Sequence, residues 1–464
     1  MGRIDGRFVA VPDRGRAAVK DALQERETGR TVAAASLWVT AGIVTGRLVG
    51  LLRELMIADS FGANREADMA ILLVSVPDTI VTIVSSGAIG LVLIPILLDH
   101  DRATQIALLR HLTVRVIAVS AALTAIFAFL VIFAATDWAR RSGVQSDTFQ
   151  LATILAATAL PPSIAVALTM AFLRARDRFA ISSFATATFN LPILCALLLR
   201  SSLVWLGAGL AAGGLLRYGT QVVAIGREWL VRRTNTVQLT GQISRSTYLA
   251  AVASNAAVAL QLALPLGIAT VIGNAGDVAL LNFGSKLLLV PIGLLGTVIS
   301  VAAYPSIIRM VSAAQRLSRT QQRQLHALIR PFVYLAAAIA SWLWVNGDAF
   351  ASFVYGRTAL DSDDLRLIGS ELRYGAASVL LLTLGAAATA ILHGTKNPGR
   401  ALLGYLVSSP VLLGVGIVLF RSHGPNGMMV AFSVYSFVFC VASITVLHVH
   451  RGFSPLAPRE LIVG

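Results

Sequence analysis

Five basic side chains lie inside long apolar stretches of this sequence: Arg47, Arg53, Arg115, Arg217 and Lys286. A charge inside a membrane-spanning helix costs about 2.5–3.5 kcal/mol on insertion scales, so it needs a partner or a wet cavity. A guanidinium donates paired hydrogen bonds to phosphate and stays protonated, whereas an ammonium offers a point charge. Arg47, Arg53 and Lys286 therefore predict a positively charged cavity that accepts an anion. The alternative is a set of intramembrane salt bridges, such as Arg53 with Asp68, that only hold helices together.

Uncharged polar residues accompany these cations in the second half of the chain. Asn282 lies one helical turn before Lys286, and Asn255 and Gln261 lie in the preceding apolar stretch. Amide side chains suit the hydroxyl groups of a sugar, and they suit hydrogen bonds between membrane helices equally well. Both interpretations stay open for Asn255 and Gln261.

Motifs of enzymes are missing from the sequence. It contains no phosphate-binding loop with a lysine, no Gly-x-Ser-x-Gly and no His-Glu-x-x-His. The two cysteines, Cys195 and Cys440, both lie within apolar runs, which favours buried thiols over a disulfide or a metal pair. The sequence predicts a protein that is not an enzyme and that has no cofactor and no metal site.

The elements that must position these residues are long apolar helices. Hydrophobic residues make up 56% of the 464 residues and charged residues 13%, against roughly 25% charged in a soluble protein. Since a spanning helix needs about 20 apolar residues, the sequence predicts an all-α polytopic membrane protein with twelve spans, at 33–57, 68–98, 113–136, 149–173, 179–199, 202–225, 247–272, 277–308, 330–355, 374–393, 401–420 and 427–448.

Basic residues are distributed unevenly among the connections between these spans. The tail 1–31 and the even-numbered connections carry Lys and Arg in excess over the odd-numbered ones by roughly three to one, which predicts that both termini are cytoplasmic. This pattern also explains the net charge of +15 as membrane topology, so no nucleic-acid partner is predicted.

A weak internal repeat divides the chain. Turn, helix-start, bend and helix-end residues recur in the same order, first as Gly62, Asp68, Pro77 and Pro95 and then as Gly273, Asp277, Pro291 and Pro305. Paired bundles with a site between them are common in transporters. The predicted organisation is a basic tail (1–31), an N-lobe of six helices (32–226), a cytoplasmic linker (227–246), a C-lobe of six helices (247–450) and a second tail (451–464).

Two stretches resemble a known family. The segment GRLVGLLRELMIADSFGANREADMAILLVSVPDTIVTIVSSGAIGLVLIPIL at 46–97 resembles the opening signature of the MurJ/MviN family, and GDVALLNFGSKLLLVPIGLLGTVISVAAYPSI at 276–307 resembles its eighth helix. That family consists of lipid II flippases of the multidrug/oligosaccharidyl-lipid/polysaccharide exporter superfamily. The signature residues here are Arg47, Gly50, Arg53, Glu54, Phe61, Gly62, Ala63, Asp68, Pro77, Gly87, Ala88 and Pro95.

The resemblance implies two pseudo-symmetric lobes around a central cavity, working by alternating access in the bacterial inner membrane. By position, the family's essential cavity arginines are Arg47 and Arg53, with Asp68 as their partner and Lys286 in place of an eighth-helix arginine. Independently of the resemblance, Pro77, Gly87 and Pro291 are predicted as hinges, since the two prolines lie inside the long second and eighth spans.

The chain also departs from the family pattern. Val81 and Ser86 stand where the family has an arginine and an acidic residue, and the twelve predicted helices leave out the family's final helix pair. The predicted substrate is therefore lipid II or a related polyprenyl-pyrophosphate sugar for an exopolysaccharide. Membrane lipids are predicted partners, and envelope-synthesis enzymes are possible ones.

Three other functions compete with a lipid flippase. A drug or cation antiporter of the same superfamily would use acidic cavity residues, for which Asp68 and Asp78 are candidates. A membrane-bound sugar polymerase or ligase would need a sizeable catalytic loop on the outer side, which the sequence does not contain. A scaffold protein of envelope synthesis would need no transport activity at all.

Overall fold

The computed structural model describes residues 38–451 except 86–92, 95–96, 99, 142–145, 177, 227–228, 230–244, 298, 300–306, 308–316 and 394–397. Every described element is a helix, so the predicted all-α class is confirmed. The helices are α1 (38–61), α2 (Arg65–Ser85), α3 (Arg102–Arg141), α4 (Ser146–Thr158), α5 (Leu160–Arg174), α6 (Phe179–Ser183), α7 (Ala185–Leu199), α8 (Leu203–Ile225), α9 (Arg245–Ile272), α10 (Asp277–Thr297), α11 (Arg319–Tyr355), α12 (Ser362–His393) and α13 (Leu402–Arg451), with a 3₁₀ turn at Pro398–Ala401.

Six helical segments within the described ranges are long and apolar enough to cross a membrane. They are Arg102–Ile126, Asp147–Arg174, Asp277–Gly296, Arg319–Tyr355, Ser362–His393 and Gly399–His450. The last is far longer than the roughly 20 residues that one crossing needs. Its helix α13 is broken at Gly424, whose φ is 58°, between the two spans predicted at 401–420 and 427–448. The total of twelve spans stays a prediction.

Glycines let the helices of the first half approach closely. Gly207 and Gly214 of α8 face the main chain of Ala152 and Ala159, where an added Cβ would lie 2.6 and 2.8 Å from a carbonyl oxygen. On α1, a Cβ at Gly46 would lie 3.0 Å from the Cβ of Thr186 on α7. Such close approach strengthens van der Waals packing, which must hold membrane helices together where lipid is as apolar as the side chains. It also fixes α1 against α7.

Helix α12 is central to the second half of the chain. It packs against α10, α11 and α13, and its inner face contributes Ile368, Leu372, Ala376 and Val379 to a large buried apolar cluster. Helix α11 bends at Asn346, where φ is −111° and ψ is 17°. These contacts place α10 between α12 on one side and the helices of the first half on the other.

The two halves of the chain meet at the turn after α1 (62–64) and the turn before α10 (273–276), which we call the closed end. Gly62 and Gly276 both adopt left-handed φ values, 66° and 89°. A Cβ at Gly276 would lie 2.6 Å from the carbonyl oxygen of Ala63, so the two main chains are in contact. The repeat predicted Gly273 as the counterpart of Gly62, and the structure gives that role to Gly276.

Helices α2 and α10 continue through Pro77 and Pro291. A proline removes one hydrogen bond from a helix and favours bending there. The hinge role of these two residues stays a prediction, and Gly87 lies outside the described residues.

Candidate functional site: charged residues along α1 and α10

The charged residues of α1 face one stripe of α10. The stripe consists of Asn282, Lys286, Leu289 and Gly293, at spacings of four, three and four residues, which place side chains on one helix face. Because α1 ends and α10 begins at the closed end, the helices run in opposite directions. Contacts accordingly pair the later residues of α1 with the earlier residues of α10.

Arg53 is held inside the first half of the chain. It is 4% exposed, and its Nη2 donates to Oε1 of Glu54 at 2.7 Å. Its Nη1 donates to Oδ1 of Asn190 on α7 at 2.8 Å and lies 3.6 Å from Oδ2 of Asp78 on α2. Arg53 thus ties α1 to α2 and α7, and its charge is balanced by carboxylates.

Glu54 connects α1 with α10. Its Oε2 accepts a hydrogen bond from Nδ2 of Asn282 at 2.8 Å, and its Oε1 lies 4.0 Å from Nζ of Lys286. The Glu54 side chain is 2% exposed, whereas those of Lys286 and Asp78 are 34% and 43% exposed. The cluster therefore has a buried side, formed by Arg53 and Glu54, and an accessible side.

Arg47 contacts α10 farther from the closed end. Its Nη1 donates to the carbonyl oxygen of Leu289 at 3.0 Å, and its guanidinium packs directly on the main chain of Gly293. The side chain is only partly buried. In the part of the chain that the structure describes, no carboxylate lies within ion-pair distance of Arg47. Its charge is therefore available to an incoming anion, unlike that of Arg53.

Asp68 does not pair with Arg53, so that predicted pairing is wrong. Its two carboxylate oxygens accept hydrogen bonds from the backbone N–H groups of Gly276 and Ala279, both at 2.9 Å. N–H groups at the start of a helix have no acceptor within the helix, so Asp68 supplies one, and the helix dipole also favours a negative charge there. Asp68 lies in the first turn of α2, at the closed end, and Glu54 and Asp78 take the place predicted for it beside Arg53.

The other predicted polar residues are dispersed. Gln261 of α9 accepts a hydrogen bond from the hydroxyl of Tyr435 on α13, so it joins two helices of the second half. The side chain of Asn255 lies outside the described residues. The sequence interpretation gave no role to Asn190 or Gly293, although an amide inside an apolar run is a signal that could have singled out Asn190.

Arg217 adds a further cation, partly buried, to the first half. Its guanidinium lies over the Phe189 ring, 5.9 Å from the centroid, and it interacts electrostatically with Asp78. Among the residues that the structure describes, no three His, Cys, Asp or Glu side chains lie close enough to hold a metal ion. The described side chains of the site are cations, carboxylates and amides, which can make ionic contacts and hydrogen bonds.

Comparison with known proteins gives one consistent result for the sequence. Residues 57–455 match the family model described as "Lipid II flippase MurJ". A "Probable lipid II flippase MurJ" of Vibrio cholerae serotype O1 is 24% identical over 439 residues, which cover 86% of this chain and 80% of that protein. A protein of the same description from Rhizobium tropici is 21% identical over 355 residues, which cover 72% of this chain. The matched region spans 66%, just under two thirds, of the length of the Rhizobium tropici protein.

Solved structures share the fold. "Lipid II flippase MurJ, inward closed conformation" superposes with a TM-score of 0.73 at 13% identity, covering 88% of this chain and 87% of that one. An inward-facing multidrug resistance transporter of the MATE family gives a TM-score of 0.65 at 12% identity, covering 89% and 97%. At these identities the likeness concerns the fold alone.

Proposed function

The chain belongs to the MurJ family, and on this premise we propose that it moves a polyprenyl-pyrophosphate-linked sugar across the bacterial inner membrane. Lipid II is the first candidate substrate, because the matched relatives are described as lipid II flippases. The observation that carries the proposal is the pair of accessible cations between the halves: Arg47, which no described carboxylate neutralises, and Lys286, which is only loosely paired.

A pyrophosphate fits these two cations better than their present partners do. The ammonium of Lys286 is 4.0 Å from Glu54, the outer limit of an ion pair. Arg47 has a carbonyl oxygen as its acceptor. Charge-assisted hydrogen bonds are roughly twice as strong as neutral ones. Arg47 and Lys286 should therefore bind phosphate oxygens more strongly than Arg47 binds a carbonyl oxygen or Lys286 binds a distant carboxylate.

The buried pair Arg53–Glu54 has a different role in this proposal. Truncating one partner of a buried ion pair leaves an uncompensated charge, which costs about 3–5 kcal/mol. Arg53 and Glu54 therefore hold α1 in place and anchor Asn282, one turn from Lys286. They position the anion site, while Arg47 and Lys286 bind the phosphates.

Alternating access is proposed to operate about the closed end. The basic connections predict cytoplasmic termini, which puts the turns 62–64 and 273–276 on the outer side of the membrane. In this arrangement the headgroup enters from the cytoplasm and leaves when Asp68 releases α10. The lobes of the cycle are 32–226 and 247–450, joined by the linker 227–246. The sugar is carried without chemical change, and envelope-synthesis enzymes stay predicted partners.

Flipping in vesicles tests the proposal. Purified protein is reconstituted with fluorescent lipid II, and a membrane-impermeant reductant reports how much of the label reaches the outer leaflet. We expect Arg47→Ala and Lys286→Ala each to slow flipping by roughly tenfold or more, since a hydrogen bond to a charged group contributes about 1.5–3 kcal/mol. Arg366→Ala is the matched control, because its side chain is 79% exposed and pairs with Asp363 on the surface.

Flipping that is unchanged in the double variant Arg47→Ala/Lys286→Ala would contradict the assigned roles. The same vesicles test the antiporter alternative, which the half-exposed carboxylate of Asp78 favours. That alternative predicts uptake of a cationic dye, with loss of uptake in Asp78→Asn. A lipid flippase should take up no dye, and its rate of lipid flipping should fall strongly in Arg47→Ala and Lys286→Ala.

A further inference from the structure

Arg217 of α8 is a cation that the proposed phosphate site does not use. Its Nε is buried and has no hydrogen-bond partner. Its guanidinium lies 5.9 Å from the centroid of the Phe189 ring, and among the residues that the structure describes Asp78 acts on it only from beyond ion-pair distance. A charge inside a membrane-spanning helix is costly unless it has a partner. The contacts in this conformation therefore leave Arg217 able to bind a further anion.

The Arg217 side chain faces the interior of the first half rather than the lipid. Leu215, two residues earlier in α8, is 63% exposed. Two residues correspond to about 200° of rotation, so Arg217 lies on nearly the opposite face of the helix. Leu210 and Gln221, which share the face of Arg217, are both fully buried. Arg217 is nevertheless partly exposed, as is Asp78. Its exposed part therefore borders the interior space beside Asp78.

A row of alternating charges connects Arg217 with Lys286. Lys286 lies 4.0 Å from Glu54, and Glu54 accepts a hydrogen bond from Arg53 at 2.7 Å. Arg53 lies 3.6 Å from Asp78, which interacts with Arg217. Helix α8 packs on α2, α4, α5, α6 and α7, all of the first half, whereas Lys286 belongs to α10. The two cations therefore mark opposite ends of the row.

A pyrophosphate occupies only one end of this row. Its two phosphorus atoms share one bridging oxygen, so a pyrophosphate that contacts both Arg47 and Lys286 stays beside α10. A group that binds Arg217 must belong to a more distant part of the headgroup. The planar fork of a guanidinium matches the two oxygens of a carboxylate, and a carboxylate is the anionic group that an attached peptide or an acidic sugar carries. A carboxylate is therefore the partner that fits Arg217.

We propose that Arg217 selects substrates whose headgroup carries a carboxylate, which it binds while Arg47 and Lys286 hold the pyrophosphate. The inference rests on the proposed transport function. In the unloaded protein the Phe189 ring and Asp78 hold the guanidinium in place. A headgroup without charge leaves Arg217 with no anion, and a site built to bond a polar group discriminates strongly against a substrate that lacks it.

Flipping of a matched pair of lipids tests the selection. One lipid is fluorescent lipid II, and the other is the same molecule with its peptide carboxyl groups converted to amides. We expect the wild type to flip the acid with a kcat/KM about tenfold above that for the amide, because charge-assisted hydrogen bonds are the stronger ones. In Arg217→Gln this ratio should fall close to one, whereas Arg47→Ala should slow both lipids alike. Arg115→Gln is the matched control, because Arg115 is exposed on α3, and it should keep the wild-type ratio.

The ratio is measured within one preparation, so a smaller folded fraction lowers both rates equally. If Arg217→Gln does not fold, Arg217→Lys replaces it. Lysine retains the charge without the fork, and the expected ratio lies between one and that of the wild type. A second pair, polyprenyl-pyrophosphate-linked glucuronic acid and its amide, distinguishes the source of the carboxylate. Preference for the acid in this pair alone would assign Arg217 to an acidic sugar, and preference in the lipid II pair alone would assign it to a peptide.

Two results would overturn the inference and leave the transport function intact. One is a wild type that flips the acid and the amide of both pairs equally fast. The other is a wild-type ratio in the Arg217 variant. A wild type that flips none of these lipids would overturn the transport function and, with it, the selection.

Discussion

Replacing Gly293 with alanine displaces the Arg47 guanidinium without altering any charge. The new Cβ would lie far inside van der Waals contact with both Nη atoms of Arg47. Because those atoms end a flexible side chain, Arg47 moves by roughly an ångström or more rather than the helix. The hydrogen bond from Arg47 to Leu289 is then lost, and the cation is no longer held in place.

The expected effect on transport follows from this displacement. A hydrogen bond to a charged group contributes about 1.5–3 kcal/mol, so kcat/KM for flipping should fall roughly 10- to 100-fold. The gain in helix stability acts in the opposite direction, because alanine is favoured over glycine inside a helix by about 0.5–1 kcal/mol, and it offsets part of the hydrogen bond that is lost. We therefore expect a Tm close to that of the wild type together with slow flipping.

Gly296 provides the matched control for this experiment. It lies three residues later in the same helix, and an added Cβ there meets nothing within 4 Å. Gly296→Ala should give the same gain in helix stability and flip at the wild-type rate. If Gly293→Ala and Gly296→Ala flip equally fast in the vesicle assay, the position of Arg47 does not determine transport, and the reasoning is refuted.

Two further changes separate stability from transport. Asp68→Ala removes the acceptor for two backbone donors of α10. Because losing a helix cap costs about 1 kcal/mol, we expect a lower Tm and a longer distance between spin labels placed on the turns 62–64 and 273–276. An unchanged distance would contradict the role of Asp68 in closing that end. Glu54→Gln leaves Arg53 buried beside a neutral amide, and we expect the free energy of unfolding to fall by about 3–5 kcal/mol. Thermal denaturation compares this variant with Glu66→Gln, because Glu66 is exposed at the start of α2. Equal stability of the two variants would contradict the stabilising role of the Arg53–Glu54 pair.

The regular part of the fold was predictable because membrane helices are specified by composition and length. The starts of α2 and α10 follow from turn and acidic residues near 62–68 and 273–277, and the structure places the helix starts at Arg65 and Asp277. The break at Gly424 was predictable as the gap between two apolar runs. Each of these features is encoded within a few neighbouring residues, so the sequence contains the signal locally.

The partners of the charged residues were not predictable in the same way. Arg53 could pair with any nearby acid, and the choice of Glu54 and Asp78 over Asp68 depends on the height and rotation of α2 relative to α1. The use of Asp68 by α10 depends on contact between residues more than 200 positions apart. Likewise, the residues around Gly293 do not indicate that it contacts Arg47, because that contact depends on how α1 and α10 pack.

The closure at Gly276 and Ala279 relies on peptide groups as donors, with a single carboxylate as the acceptor. Every amino acid except proline supplies such a donor. Substitutions along the opposing surface can therefore accumulate over evolutionary time without weakening the contact at the closed end, provided that Asp68 and the tight turn persist. The basic residues along α1 and α10 can therefore change, for example from arginine to lysine, while the contact that joins the two turns stays the same.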